Sequence, residues 1–492
     1  MPIANYQNPG VYVTQATNPA AAVNVSNNLN VCFVASVSGL TPPTAANSDN
    51  GNITAVTGTI TLTMSGALST GLTVKNSQTG ALLSGTTGPG WGNQAVDYLI
   101  NTSGGNVTSI TISGAYTTSA PLAATVSYNY YTATPGVFYT FYDYDQVQRT
   151  FGNPFSYANS TSSASINSPA SLAAYLAFQN GARVVTCVNL PASGTSTTDF
   201  MNTIISGVSS NPGIDVIVPL KYDSSVTSTG LFVQLSNFLN AQAAKGIYQR
   251  AFVGLDSTVS SASLINTCNS ITSALSSTRM TLTAPQTITI NPGINSTSAL
   301  ATGLIDIAGY YIAAATAGLF AGQADVYVPI TRKTVNGFVN IPNQISTTDS
   351  DTIQSFGTTV VRQRKDGSIY VRHGLTTNTS NWMTQEISIN AIGDRLAHNI
   401  ANTLESSNII GSPLTQTTLI TLQSITHSVL LTAVNSSLIQ SFQNLSFSVD
   451  PVNPTTVNIA FQYAPTVPLN YVQVVFSLNS QSGQIQFSGT NL

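Results

Sequence analysis

Asp394 and His398 stand one helical turn apart, a spacing at which a carboxylate and an imidazole could serve as a general acid–base pair. Catalysis would also need a nucleophile held against the base, or a third ligand if a metal were involved. The sequence offers no Gly-X-Ser-X-Gly elbow or equivalent motif, so the two residues read as a pair on a helix surface. His373 and His427 complete the three histidines. Asp143-Tyr144-Asp145 could offer carboxylates to a cation, but no acidic run continues it and the stretch reads as a loop. Gly88-Pro89-Gly90-Trp91-Gly92 lacks the Lys-Ser/Thr and the following helix of a phosphate cradle, so it reads as a turn. Cys32, Cys187 and Cys268 are odd in number and show no metal-ligand spacing, which predicts buried free thiols. The reading is a non-enzyme with no cofactor, no catalytic residue and no metal site.

Charge is the scarce resource of this chain. Charged residues make up 6% of its 492 positions, against about 25% in ordinary soluble domains. With 14 basic and 17 acidic residues the net charge is -3, which gives no footprint for nucleic acid or an anionic membrane. A Ser/Thr/Asn-rich, β-prone surface with little like-charge repulsion resists association poorly, as expected of a protein that assembles. Seven of the basic residues, Arg332, Lys333, Arg362, Arg364, Lys365, Arg372 and Arg395, fall in one stretch. Arg362, Arg364, Lys365 and Arg372 could form a patch facing a tube or a neighbour, or could simply solvate an exposed hairpin.

The elements that position these groups follow from periodicity. Val360-Val361 and Ile369-Tyr370-Val371 flank Asp366-Gly367, which supplies the backbone of a tight hairpin turn. A third β-like run follows to about Ile387, and Ile389, Ile392, Leu396, Ile400 and Leu404 then make one apolar helix face. Upstream, Val31–Val37 has the length of a buried strand. Residues 41–130 break into short β-like runs separated by Gly, Ser and Asn, as in an inserted all-β module. After Tyr131 helix and strand patterns alternate, which predicts an α/β layer. Helices are predicted from Ser168 to Phe178, Leu231 to Ala244, Ser260 to Ser276 and Gly303 to Leu319, with strands at Arg183–Val188, Ile214–Val218, Ala251–Leu255 and Val326–Pro329. A second C-terminal helix spans about Thr415–Ser436, with strands at Leu445–Val449 and Val457–Tyr463. The last predicted strand, Tyr471–Leu478, alternates cleanly and lacks an adjacent hairpin partner. The first 20 residues read as an extended arm. The N-terminus shows no signal peptide and no run reaches the ~18 apolar residues of a membrane span, so synthesis in a cytoplasm and no membrane insertion are expected.

Taken in order, Pro9-Gly10-Val11-Tyr12-Val13, the Ala-rich run Ile307–Leu319, Thr331–Pro342 with its Asn336-Gly337 turn, Gly367–Thr377, the helix to Leu404 and Ala464–Leu478 resemble the sheath proteins of contractile phage tails and related contractile injection systems. The resemblance covers residues 1–40 and about 300–480, the middle loosely and the insertion not at all. It implies an α/β multi-domain fold: an N-terminal arm at 1–20, an α/β middle domain at 21–40 and 131–345, a β-rich outer domain at 41–130, a C-terminal sheath domain at 346–470 and an arm at 471–492. It also implies a structural subunit that polymerises in stacked six-subunit rings around a tail tube in the virion tail, meets baseplate and tail terminator proteins, and contracts to drive the tube through the host envelope. By the same resemblance Val11, Tyr12, Val13 and Thr14 at one end, and Val472, Val474, Phe476 and Leu478 at the other, would be strands lent to neighbouring subunits. A surface-layer or adhesin-type structural protein is the alternative that the composition allows.

Overall fold

Val31, Phe33 and Ala35 face one side of strand β1 (Asn30–Ala35) while Cys32 and Val34 face the other, and all five are buried. A strand apolar on both faces must lie in the middle of a covered sheet. The computed structural model describes residues 29–35, 133–152, 154–156, 165–190, 196–211, 213–292 and 304–472, together with the backbone of short strands within 52–127 and at 476–478 and 485–487. Val11–Thr14, Gly88–Gly92 and Val474 lie outside the described residues.

Seven further strands join β1: β2 (Tyr139–Phe141), β3 (Val184–Asn189), β4 (Val216–Pro219), β5 (Arg250–Gly254), β6 (Met280–Ala284), β7 (Thr358–Gln363) and β8 (Ile369–Val371). Their order is β8-β7-β6-β5-β4-β1-β3-β2, parallel except for the two edge strands. Because β7 pairs with β6, this one sheet continues past residue 346.

Helices cover both faces, as the right-handed crossovers of a parallel sheet require. On the Val31 side lie α1 (Tyr144–Phe151), α2 (Pro169–Gln179), α6 (Tyr310–Ala321) and α9 (Ile387–Ser406); on the Cys32 side lie α3 (Thr197–Ser210), α4 (Leu231–Ala243), α5 (Leu264–Leu275) and α7 (Thr347–Ser355). Between β8 and α9 runs the single turn α8 (Trp382–Gln385), and α10 (Gln416–Asn435) follows α9. Local signals explain the boundaries. Ser168 caps α2 and Pro169 begins it; Ser196 and Asp199 form a capping box at α3. Helix α6 is buried almost all round and crosses α2 so closely that a Cβ on Gly318 would lie 2.5 Å from the Ala177 Cα. Length and composition alone would let α10 cross a membrane, yet Leu422, Val429, Leu430 and Ala433 pack it into the core.

Several predicted elements are corrected. Ile305–Ala308 forms a strand with Thr287–Ile290, so the Ala-rich helix starts at Tyr310 and not at Gly303. Val326–Pro329 is not a strand: it follows Asp325, whose carboxylate and carbonyl bond Val326 and Val328 and turn the chain. The β-like run to Ile387 is instead α8, fixed by the Asn381–Thr384 capping box. Asp143-Tyr144-Asp145 is the N-terminus of α1, with Asp143 accepting from the Asp145 N–H.

Between β1 and β2 the backbone forms a three-stranded sheet (Asn52–Val56, Thr73–Asn76, Leu122–Ser127) and a four-stranded one (Ile60–Leu68, Gly85–Thr87, Tyr98–Ser103, Asn106–Ile112). Near the other end, Ile439–Val449 and Val457–Pro465 form a long antiparallel hairpin packed on the Val31-side core through Phe442, Phe447, Ile459 and Tyr463.

Candidate functional site

Polar groups concentrate where α9 meets the amino ends of β4, β5 and β6. Arg250 begins β5, Arg279 directly precedes β6, and Asp394 on α9 bonds both: Oδ2 accepts from the Arg250 Nη2 at 2.5 Å and Oδ1 from the Arg279 Nη2 at 2.8 Å. All three side chains are about nine-tenths buried. Burial pushes the Arg250 guanidinium down from its ordinary value and the Asp394 carboxylate opposes that. Next to this trio Asp215 accepts from the Asn30 N–H at 2.8 Å, holding the start of β1 to that of β4. Burial pushes the Asp215 carboxyl up to about 6 against the pull of that N–H and of Arg395. Arg395 itself is lowered by burial and supported by Asp325 and Asp215.

The expectation of an Asp394–His398 surface pair is corrected. Asp394 points into the arginines, and His398 meets Asn402 at 2.8 Å. Burial, then Arg395, hold the His398 imidazole below its usual value. The chemistry of this seam is fastening: open α/β sheets take ligands at the carboxyl ends of their strands, and these groups gather at the amino ends. One pH effect follows. Between about pH 4 and pH 6 the native Asp215 binds more proton than an unfolded one, so its contribution to stability falls as pH rises through that window. Asp215→Asn should therefore gain roughly 2 kcal/mol on the parent chain between about pH 4.5 and about pH 7, measured by urea unfolding at each pH. An unchanged difference would remove Asp215 as the cause.

The predicted basic residues divide. The turn forms at Asp366-Gly367, with Gly367 at a φ of 87°. Arg364 lies with its Cζ 4.3 Å from the Tyr370 ring centre and Arg332 with its Cζ at 5.6 Å from the same ring. Arg362 bonds the Thr347 hydroxyl and Arg372 pairs with Asp351, while Lys365 is exposed at the turn. Arg362, Arg364 and Arg372 are thus drawn into local contacts rather than forming one free patch.

Sequence reading missed the place where the C-terminal segment is held. The His373 Nε2 lies 2.7 Å from the Glu386 Oε2, the Asn470 side-chain amide donates to that same oxygen at 3.1 Å with its nitrogen 3.2 Å from the His373 Nε2, and Tyr471 is edge-on to His373. Around this anchor Leu469, Tyr471 and Val472 are 83%, 83% and 74% exposed. Phe476–Leu478 does have a hairpin partner, Ile485–Phe487, contrary to the expectation of none. Pro465 and Pro468 signal only detachment from the preceding strand. Among the described residues neither strand of the Ile439–Pro465 hairpin pairs with a third, so both its edges keep unpaired backbone groups.

These sites join elements of the chain to one another, and the class they define is an α/β multi-domain scaffold. No family model matches the chain. The tail sheath protein of Mycobacterium phage Bxz1 is 25% identical over 350 residues, which cover 70% of this chain and 56% of that protein. The chain thus spans a little over half the length of that relative. Among solved structures, the contracted helical sheath of the anti-feeding prophage aligns with a TM-score of 0.55 at 13% identity, covering 96% of this chain and 100% of that one. The contracted sheath of the extracellular contractile injection system PVC gives 0.51 at 10%, covering 97% and 99%. In fold the chain is similar to these contractile sheath subunits, and in sequence it is similar to the phage tail sheath protein.

Proposed function

We propose that the chain is the structural subunit of a contractile tail sheath, polymerising helically around a tail tube and shortening to drive that tube through a host envelope. The observation that carries this reading is the end-to-end correspondence with a contracted-sheath subunit, over 96% of this chain and 100% of the other, joined to the sequence match with a phage tail sheath protein. The open edges of the Ile439–Pro465 hairpin and the short ladder at Phe476–Leu478 support arms exchanged between copies, since a two-stranded ladder is marginal until a further strand is added. In this reading Val11–Thr14 and Val472–Leu478 are the exchanged strands, the module between β1 and β2 lies on the outside of the sheath, and tube, baseplate and terminator proteins are the other partners. The role is mechanical, not enzymatic, and the place is the virion tail after synthesis in the host cytoplasm.

Negative-stain microscopy of the purified chain tests it. Hollow, helically striated cylinders are expected; a chain that stays monomeric at high concentration would overturn the reading.

A further inference from the structure

A pocket of about 310 Å³ opens beside the root of the C-terminal segment, lined among others by Arg332, Gln354, Arg372, His373, Asn470 and Tyr471. Arg332 adopts a φ of 64°, a left-handed conformation that costs a non-glycine side chain of order 1 kcal/mol and persists only where the surroundings impose it. Here the backbone imposes it: the Arg332 N–H bonds the Val371 carbonyl at 2.8 Å, and the Val371 N–H bonds the Lys333 carbonyl at 3.0 Å. The guanidinium so presented leans on Tyr370 and has no carboxylate within salt-bridge distance among the described residues. In a chain so sparing with charge, an exposed arginine without an acidic partner, held in a strained pose at a pocket wall, is out of keeping with mere solvation.

The neighbouring groups extend the same chemistry. Arg372 spends one edge of its fork on Asp351, whose side chain is 62% exposed, leaving further donors. The Gln354 side-chain nitrogen is buried without a partner. Against these donors stand the Asp351 carboxylate at the rim and Glu386, already engaged by His373 and Asn470. Glu386 lies behind the lining, and the lining itself sets Arg332 and Arg372 against Asp351, one cation in excess, which suits a single carboxylate. A free metabolite would leave the adjoining Leu469, Tyr471 and Val472 in water, whereas a protein surface would cover them. A charged pocket ringed by apolar side chains is the arrangement of an interface centre.

We propose that the pocket between Arg332, Arg372 and Asn470 receives an acidic side chain of a second copy of this chain, with Leu469, Tyr471 and Val472 buried by the same contact. This rests on the sheath reading and gives it a specific joint: the pocket wall is the root of the arm, so filling the pocket and fixing the arm's direction are one event. The test uses the full chain and two variants, Arg332→Asn, which tolerates the left-handed backbone while removing the charge, and Tyr471→Ser, at an exposed position that cannot unfold the core. Sedimentation velocity at low and high salt should show Arg332→Asn associating at least tenfold more weakly than the parent at low salt, with a reduced salt dependence. Tyr471→Ser should weaken association at both salts, and both variants should keep the parental melting temperature. If the parent associates and Arg332→Asn matches it at both salts, the pocket proposal falls and the sheath reading stands. A parent that never associates overturns both.

Discussion

Asp394→Ala should lower the unfolding free energy by about 3–5 kcal/mol, because it strands two buried guanidinium groups whose desolvation the carboxylate offsets. That is a large share of the roughly 5–15 kcal/mol of an ordinary domain. The loss should appear as a fall in the denaturant midpoint. Asp394→Asn, which keeps an acceptor but no charge, should fall between the two. Replacing Arg250, Arg279 and Asp394 together by Met, Met and Leu should recover much of the loss, since a buried ionic cluster contributes little beyond a well-packed apolar one of similar volume. Near-parental stability of Asp394→Ala would mean that water reaches the arginines and the seam is not what fastens α9 to the sheet.

Ending the chain after Val472 should abolish cylinders while leaving a folded monomer. The cut keeps Asn470 on His373 and Glu386, so the root of the segment stays in place, and it removes the last 20 residues with the ladder at Phe476–Leu478. Because the contact proposed for these residues is made largely by main-chain hydrogen bonds, it needs no ionic group, in keeping with a chain that has no Lys or Arg after Arg395. Circular dichroism and melting temperature should match the full chain, and microscopy should show no polymer. Normal cylinders from the truncated chain, or loss of the monomer fold, would assign the strand to its own subunit.

Much of the fold is written locally. The apolar run at β1 marks a doubly covered strand, Ser168-Pro169 and Asn180-Gly181 bracket α2, Asp366-Gly367 makes the β7–β8 turn, and the three- and four-residue steps from Ile389 to Leu404 set the buried face of α9. Each depends on φ preferences or on a period of side-chain polarity, both properties of neighbours in sequence. Helices α3 and α7 are also legible, through Ser196 with Asp199 and Ser346 with Asp349, although their weak apolar patterns hide them.

What no local pattern could give is which distant groups meet. Asp394 finds Arg250 and Arg279 across separations of 144 and 115 residues, because the sheet order sets β5 beside β6 and α9 packs against that face. From spacing alone its titratable neighbour one turn along the helix is His398, and the surface-pair reading follows. Asn470 likewise reaches His373 and Glu386 across 97 and 84 residues. Sequence by itself determined many of the elements and the scarcity of charge; the tertiary structure decided how the few charges are spent. The physical reason is that helix and strand formation are settled by short-range sterics and polarity, whereas the partner of a buried charge is settled by strand order and helix packing.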